Sequence, residues 1–185
     1  MESHTETFNS HKTKPKPDIQ FRKPTLADGE AIYRLIERCP PLDLNSSYLY
    51  FLQASHFADT CVVAEMDGEL VGFVSAYYLP EEPRSLFVWQ IAVDEIARGQ
   101  GLAKRLIRQL LANQSKSYVT EILCTISPSN KASQALFNGF ANDEGLKVVV
   151  EPFLTEAHFS SLGHEAEELY RLAAPKHQNL FAYWR

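Results

Sequence analysis

Leu86-Phe87-Val88-Trp89-Gln90-Ile91-Ala92-Val93-Asp94-Glu95-Ile96-Ala97-Arg98-Gly99-Gln100-Gly101-Leu102-Ala103 is the stretch that decides how this chain folds. Residues 86–93 are almost wholly apolar, β-branched or aromatic, the composition of a buried strand. Residues 98–101 form a short glycine-bearing turn. From Gly101 onward, Leu102, Leu106, Leu110 and Leu111 recur at helical spacing.

That order sets the open end of a helix at the tip of a strand. The first amides of a helix have no intrahelical acceptor, and its dipole makes that end partly positive. Gly99 and Gly101 carry no side chain to hold a phosphate away from those amides, and Lys104 and Arg105 bring positive charge just inside the helix. The segment reads either as an anion site or as a plain strand-to-helix turn. A dinucleotide fingerprint would need glycine near position 104, which is Lys, and a Walker loop would need Lys and Ser/Thr after Gly101.

Around this centre, 185 residues make one domain the default, with room for a sizeable core. A net charge of −5 argues against nucleic-acid binding and suits a cationic substrate. Cys39, Cys61 and Cys124 are odd in number and lack metal-ligand spacing, so they read as free buried thiols of a reducing, cytoplasmic compartment. No run reaches the roughly 18 apolar residues of a membrane span, and no secretory signal opens the chain.

Residues 1–17 are polar and read as a disordered tail, 18–174 as the folded domain and 175–185 as a C-terminal extension. Within the domain, alternation at Ile19 and Phe21 predicts a first strand. Thr25 with Asp28 opens an amphipathic helix over 26–38, which Pro40-Pro41 ends. A further helix begins at 43–47. Residues 60–66 and 69–79 are strands joined at Asp67-Gly68, a hairpin signal. A strand over 118–126, a helix over 130–140 and a strand-like run over 146–153 follow. Residues 155–174 are mostly helical in pattern, with Glu165, Glu167 and Glu168 on what reads as a solvated face. His164-Glu165-Ala166-Glu167-Glu168 lacks the second His of a zinc helix, so no metal is expected.

Arg98-Gly99-Gln100-Gly101-Leu102-Ala103 resembles the acyl-CoA signature of the GNAT N-acetyltransferases, Gln/Arg-x-x-Gly-x-Gly/Ala, and the order β-α-α-β-β-β-α-β-α-β is the GNAT order. Asn130, with Phe137 and Phe140 after it, resembles the family's next motif. The resemblance implies an α/β fold with a central mixed, mostly antiparallel sheet, one parallel pair splayed at the cofactor and helices on both faces. It implies acetyl-CoA as co-substrate, with its pantetheine arm beside Ile91, Ala92 and Val93 and near Asn130. Its diphosphate would lie on the amides of Arg98, Gly99, Gln100, Gly101, Leu102, Ala103 and Lys104. Many GNAT enzymes carry a Tyr where this chain has Phe137, and a phenyl ring cannot protonate a leaving thiolate. Another group would do so, or the thiolate, with a pKa near 8.5, would leave unprotonated.

A longer set of words is similar to the diaminobutyrate acetyltransferases of ectoine biosynthesis: Cys39 to Tyr48, His56-Phe57, 60–65, 71–77, 87–90 and 127–130. That likeness implies L-2,4-diaminobutyrate as acceptor and a homodimer. Such an acceptor has two ammonium groups and one carboxylate, so its site needs acids for the amines and donors for the carboxylate. Asp43 is the candidate acid, with a helix N-cap as its other reading. Trp89 is either a pocket wall or a core residue. Asn45 and Tyr48 are candidates for the carboxylate. His56, His158 and Glu151 are the candidate proton acceptors. Acetylation of a polyamine or another diamino acid, and a non-catalytic acyl-CoA-binding module, are the competing functions.

Overall fold

The computed structural model describes residues 18–115, 117–159 and 164–183. The tail read at 1–17 lies outside them. The strands are β1 (Ile19–Arg22), β2 (Cys61–Met66), β3 (Glu69–Tyr78), β4 (Ser85–Val93), β5 (Glu121–Ile126), β6 (Lys147–Leu154) and β7 (Glu167–Ala173). They form one sheet in the order β1-β2-β3-β4-β5-β7-β6. The β4–β5 pair is parallel and the other five pairings are antiparallel.

Local chemistry explains most of these elements. Asp67 and Gly68 both take positive φ (54° and 84°), as a tight hairpin turn between β2 and β3 requires. At the first helix, Asp28 Oδ2 accepts from the Thr25 amide (2.6 Å) and hydroxyl (2.9 Å). Residues 26–28 form one 3-10 turn before α1 (Gly29–Glu37) begins. The other helices are α2 (Ser47–Gln53), α3 (Leu102–Asn113), α4 (Lys131–Asp143) and α5 (Leu180–Tyr183).

Helices cover both faces of the sheet, as the family resemblance implies. On one face Ile32, Leu35 and Ile36 of α1 and Tyr50 of α2 pack on Val63, Phe73 and Ala92. On the other, Leu102, Leu106 and Leu110 of α3 and Phe137 and Phe140 of α4 pack on Val62, Val74, Leu86, Ile122 and Leu172. Leu180 is buried in this second layer, and its amide donates to the Val119 carbonyl at 2.8 Å.

One reading is corrected. The run over 155–174 is not mostly helical: a short 3-10 turn at Glu156–Phe159 precedes strand β7. β7 inserts between β5 and β6 and hydrogen-bonds to both. Glu, Leu and Arg favour helices in isolation, but a slot with an open strand edge on each side outweighs that weak preference.

Candidate active site

β4 and β5 pair through only three positions, Ser85↔Glu121, Leu86↔Ile122 and Phe87↔Leu123. The reason lies on the other side of β4. Its register against β3 slips between Ser75↔Gln90 and Ala76↔Val88, so Trp89 is an extra, bulged residue. A bulge bends its strand and sharpens the local twist. Beyond it the two parallel strands separate. Val88, Trp89, Gln90 and Ile91 face Cys124, Thr125 and Ile126 across a cavity of about 650 Å³.

The bulge also switches which side chains face which layer. Leu86 and Val88 belong to the α3–α4 layer before it, and Ala92 to the α1–α2 layer after it. The cavity therefore opens toward both layers. Cys124, Asn130, Ser133 and Phe137 line it on the α3–α4 side. Asp43, Asn45, Tyr77, Trp89, Thr125, Phe153, Glu167 and Leu169 line it elsewhere.

At the end of β4 the chain enters the glycine turn. Asp94 Oδ1 accepts from the Ile96 amide (3.1 Å), and its Oδ2 accepts from Arg38 Nε (2.5 Å). Gly99 and Gly101 hold φ of 74° and 70°, the left-handed region that favours glycine, and a Cβ at either would meet nothing within 4 Å. The turn is an open cradle ahead of the first amides of α3. Arg98 Nε donates to the Val93 carbonyl (3.1 Å) and Gln100 Nε2 to the Ile96 carbonyl (3.4 Å), so both side chains fold back on the preceding turn.

These features fit the pantetheine slot and diphosphate turn of an acyl-CoA enzyme. Residues 29–140 match the family model described as Acetyltransferase (GNAT) family. The chain belongs to the GNAT acetyltransferase family. Among its relatives, the L-2,4-diaminobutyric acid acetyltransferase of Vibrio cholerae is 46% identical over 160 residues, spanning 86% of this chain and 92% of that protein. The protein of the same name from Methylotuvimicrobium alcaliphilum is 44% identical over 156 residues, spanning 84% and 91%. A solved structure, the diaminobutyrate acetyltransferase of Paenibacillus lautus in complex with its substrate L-2,4-diaminobutyric acid and coenzyme A, superimposes with a TM-score of 0.81. It is 38% identical, over 85% of this chain and 96% of that one.

Within this GNAT fold the sequence-predicted residues fall into two groups. Asp43, Asn45, Trp89, Ile91 and Asn130 line the cavity. The N-cap position of α2 is occupied by Ser46, so Asp43 is not its cap. Trp89 is half exposed, against the ring of Tyr77, rather than in the core. Asn130 caps α4, its side-chain oxygen accepting from the Ser133 amide at 3.0 Å. Phe137 is buried in the cavity wall, and Ala92 lies in the α1–α2 core while Val93 packs on the α3–α4 core.

The second group lies outside the cavity lining. Tyr48 and His56 are exposed, on α2 and in the turn after it. His158 is exposed too, and its Nδ1 accepts from the Thr155 amide at 2.9 Å. Glu151 on β6 faces outward, 3.7 Å from Arg171 Nε. Lys104 bridges to Asp143 at 2.6 Å, and Arg105 lies over the ring of Phe21. The positive charges just inside α3 are thus engaged with α4 and β1.

The carboxylate that sequence reading missed is Glu167. It begins β7 and lines the cavity. Burial pushes its pKa up, a hydrogen bond from Thr125 works the other way, and the charge of Asp43 raises it again. The signal that could have found it is the alternation Glu167, Leu169, Arg171 on one face against Glu168, Tyr170, Leu172 on the other. Arg171 also borders the cavity, but its guanidinium is already bound by Glu82 (3.1 Å) and Glu121 (2.9 Å). All three cysteines are free and buried; Cys124 lies in the cavity wall, its thiol held protonated chiefly by burial. Among the described residues no cluster of three or more His, Cys, Asp or Glu side chains could hold a metal ion.

Proposed function

We propose that this enzyme transfers the acetyl group of acetyl-CoA to the γ-amine of L-2,4-diaminobutyrate, giving N-γ-acetyl-L-2,4-diaminobutyrate. On this reading it acts as a cytoplasmic homodimer, in the formation of the compatible solute ectoine under osmotic stress. The names of its relatives support the substrate. The observation that carries the reading is the pair of carboxylates, Asp43 and Glu167, in one cavity with Trp89, Phe153 and Leu169. A short dication with one carboxylate needs two anionic partners and an apolar wall for its methylenes. A monoamine would leave one of those acids unpaired.

When bound, acetyl-CoA supplies an activated acetyl thioester for direct attack by the neutral amine. The open turn at residues 98–104 holds the diphosphate through backbone amides, and the slot beside residues 91–93 takes the pantetheine arm. Within the cavity, Asp43 holds the α-ammonium. Glu167 takes the proton that the γ-ammonium, with a free pKa near 10, must lose before attack. Its raised pKa narrows that gap, and Thr125 orients it. This assigns the base to Glu167, in place of His56, His158 and Glu151. Phe137, in the cavity wall, has no hydroxyl to donate, and the thiolate departs as the anion, as its pKa near 8.5 allows.

The test is coenzyme-A release with a panel of amines, followed by mass spectrometry and NMR of the product. The expected result is preferential turnover of L-2,4-diaminobutyrate with acetylation at the γ-nitrogen. Preference for spermidine would replace the acceptor, and cofactor binding with no turnover of any amine would end the enzymatic reading.

A further inference from the structure

Gln90 follows the bulged Trp89 on β4 and is almost fully buried, at 7% exposure. A buried carboxamide must find partners for both its donor and its acceptor. Gln90 finds one on the loop before α2 and the other on α2 itself. Its Nε2 donates to the backbone carbonyl of Asp43 at 2.6 Å. Its Oε1 accepts from the Tyr50 hydroxyl at 3.5 Å. The same hydroxyl oxygen accepts from the amide of Asn45 at 3.1 Å.

The orientation of this chain is fixed by elementary bookkeeping. A backbone carbonyl only accepts, so the amide nitrogen of Gln90 must face Asp43. Its oxygen is then left for Tyr50, whose hydroxyl proton points to it and whose lone pair is free for Asn45 N–H. Tyr50 itself is wholly buried. Two side chains thus clasp the backbone of residue 43 and residue 45, the two members of this loop that line the cavity with polar side chains. Asp43 is exposed at its side chain, and α2 starts only at Ser47, so little else in its own segment fixes it.

We propose that Gln90, with Tyr50, is a positioning residue that sets the acceptor specificity of the enzyme. It fastens the loop bearing Asp43 to the strand that forms the cofactor slot, and so holds that carboxylate at a fixed place relative to Glu167 and to the reacting centre. Gln90 borders the cavity, but both ends of its carboxamide are spent on Asp43 and Tyr50, so it acts through the backbone of residue 43. The inference rests on the acceptor-site reading above.

The experiment compares Gln90→Met, which keeps the volume and removes both hydrogen bonds, with Gln90→Glu, which puts an oxygen opposite the Asp43 carbonyl, and with Tyr50→Phe. Steady-state kinetics are measured for L-2,4-diaminobutyrate, for 4-aminobutyrate, which lacks the α-amine, and for acetyl-CoA. Gln90→Met is expected to raise the KM for diaminobutyrate about tenfold, the scale of one strong buried hydrogen bond, while the acetyl-CoA KM stays within about twofold. The preference for diaminobutyrate over 4-aminobutyrate should fall in parallel. Tyr50→Phe should move the same constants by a smaller factor, and it keeps the test open if the Gln90 variants fail to fold. Hydrogen exchange of the 43–46 amides should speed up while that of 98–104 does not. Equal rises in both KM values, an unchanged acceptor preference, or unchanged exchange at 43–46 would each overturn the proposal. If the wild-type enzyme prefers another amine, the substrate reading fails, and the same KM split measured on that amine decides the role of Gln90.

Discussion

Asp43 and Glu167 are 124 positions apart in the chain by their numbering, yet the charge of Asp43 reaches the Glu167 carboxyl and, after burial, is the next influence raising its pKa. One acid comes from the loop before α2 and the other from the first residue of β7. Neither neighbour in sequence would reveal the other. On the proposed function their pairing receives a short, doubly cationic acceptor, and it predicts a pH signature.

Glu167 accepts a proton only when ionised, and a raised pKa means that ionisation comes at higher pH than the roughly 4.3 of an ordinary glutamate. Activity should therefore rise with pH through a limb lying above that value. Glu167→Gln should abolish the limb and lower kcat by about 10²- to 10⁴-fold, the range for loss of a general base. The sign for stability is opposite. A carboxyl whose folded pKa is raised contributes stability at low pH that is lost as pH rises, so the uncharged Gln variant should melt at a higher temperature than the wild type at pH 7. A pH–rate profile and a thermal melt of the one variant check both.

Asp43→Asn should raise the KM for diaminobutyrate by about tenfold or more, with little change for acetyl-CoA, because a charge-assisted contact to one ammonium is lost. It should also shift the Glu167 limb to lower pH, since the Asp43 charge that raises that carboxyl is gone. Unmoved constants and an unmoved limb would remove Asp43 from the acceptor site.

Gly101→Ala and Gly101→Val separate two reasons for the glycine. A Cβ at this position meets nothing in the protein, so the cost comes from φ of 70° and from the space a bound diphosphate would need. The left-handed conformation costs a residue with a side chain about 1–2 kcal/mol, and more when it is β-branched. Both variants should weaken acetyl-CoA binding, Val more than Ala, while leaving the KM for the amine nearly unchanged. Calorimetric titration of coenzyme A reads the first effect directly.

Asp28 offers a prediction about folding alone. Arg22 holds its carboxyl by hydrogen bonds at 2.8 Å to each oxygen, and its pKa falls from 3.8 to about 2 despite partial burial. A depressed carboxyl stabilises the fold fully above about pH 4 and loses that contribution as pH falls toward about 2. Asp28→Asn should cost about 1–2 kcal/mol at pH 7, allowing for the partial exposure of Arg22, and should flatten the acid limb of the stability curve. Urea unfolding at several pH values measures it.

Much of this was legible in the chain because it is local. Residues 86–113 announce strand, turn and helix through composition and period, and Gly99 and Gly101 sit where the backbone takes positive φ. The hairpin at Asp67-Gly68 and the Thr25–Asp28 start of the first helix are equally short-range, settled by groups within a few residues of one another. What the tertiary structure decided is long-range. The run containing Glu167 has residues that suit a helix, and only two strand edges waiting on either side make it β7. The bulge that opens the cavity shows itself as a register slip against β3, not as a word in β4. Lys104 looked like a phosphate partner until Asp143, one helix away, claimed it. Backbone geometry follows from neighbours in sequence, but the partner of a charge and the state of an ambiguous segment follow from whatever the folded chain brings near, and the proton affinity of Glu167 is raised only by the burial and the second carboxylate that folding supplies.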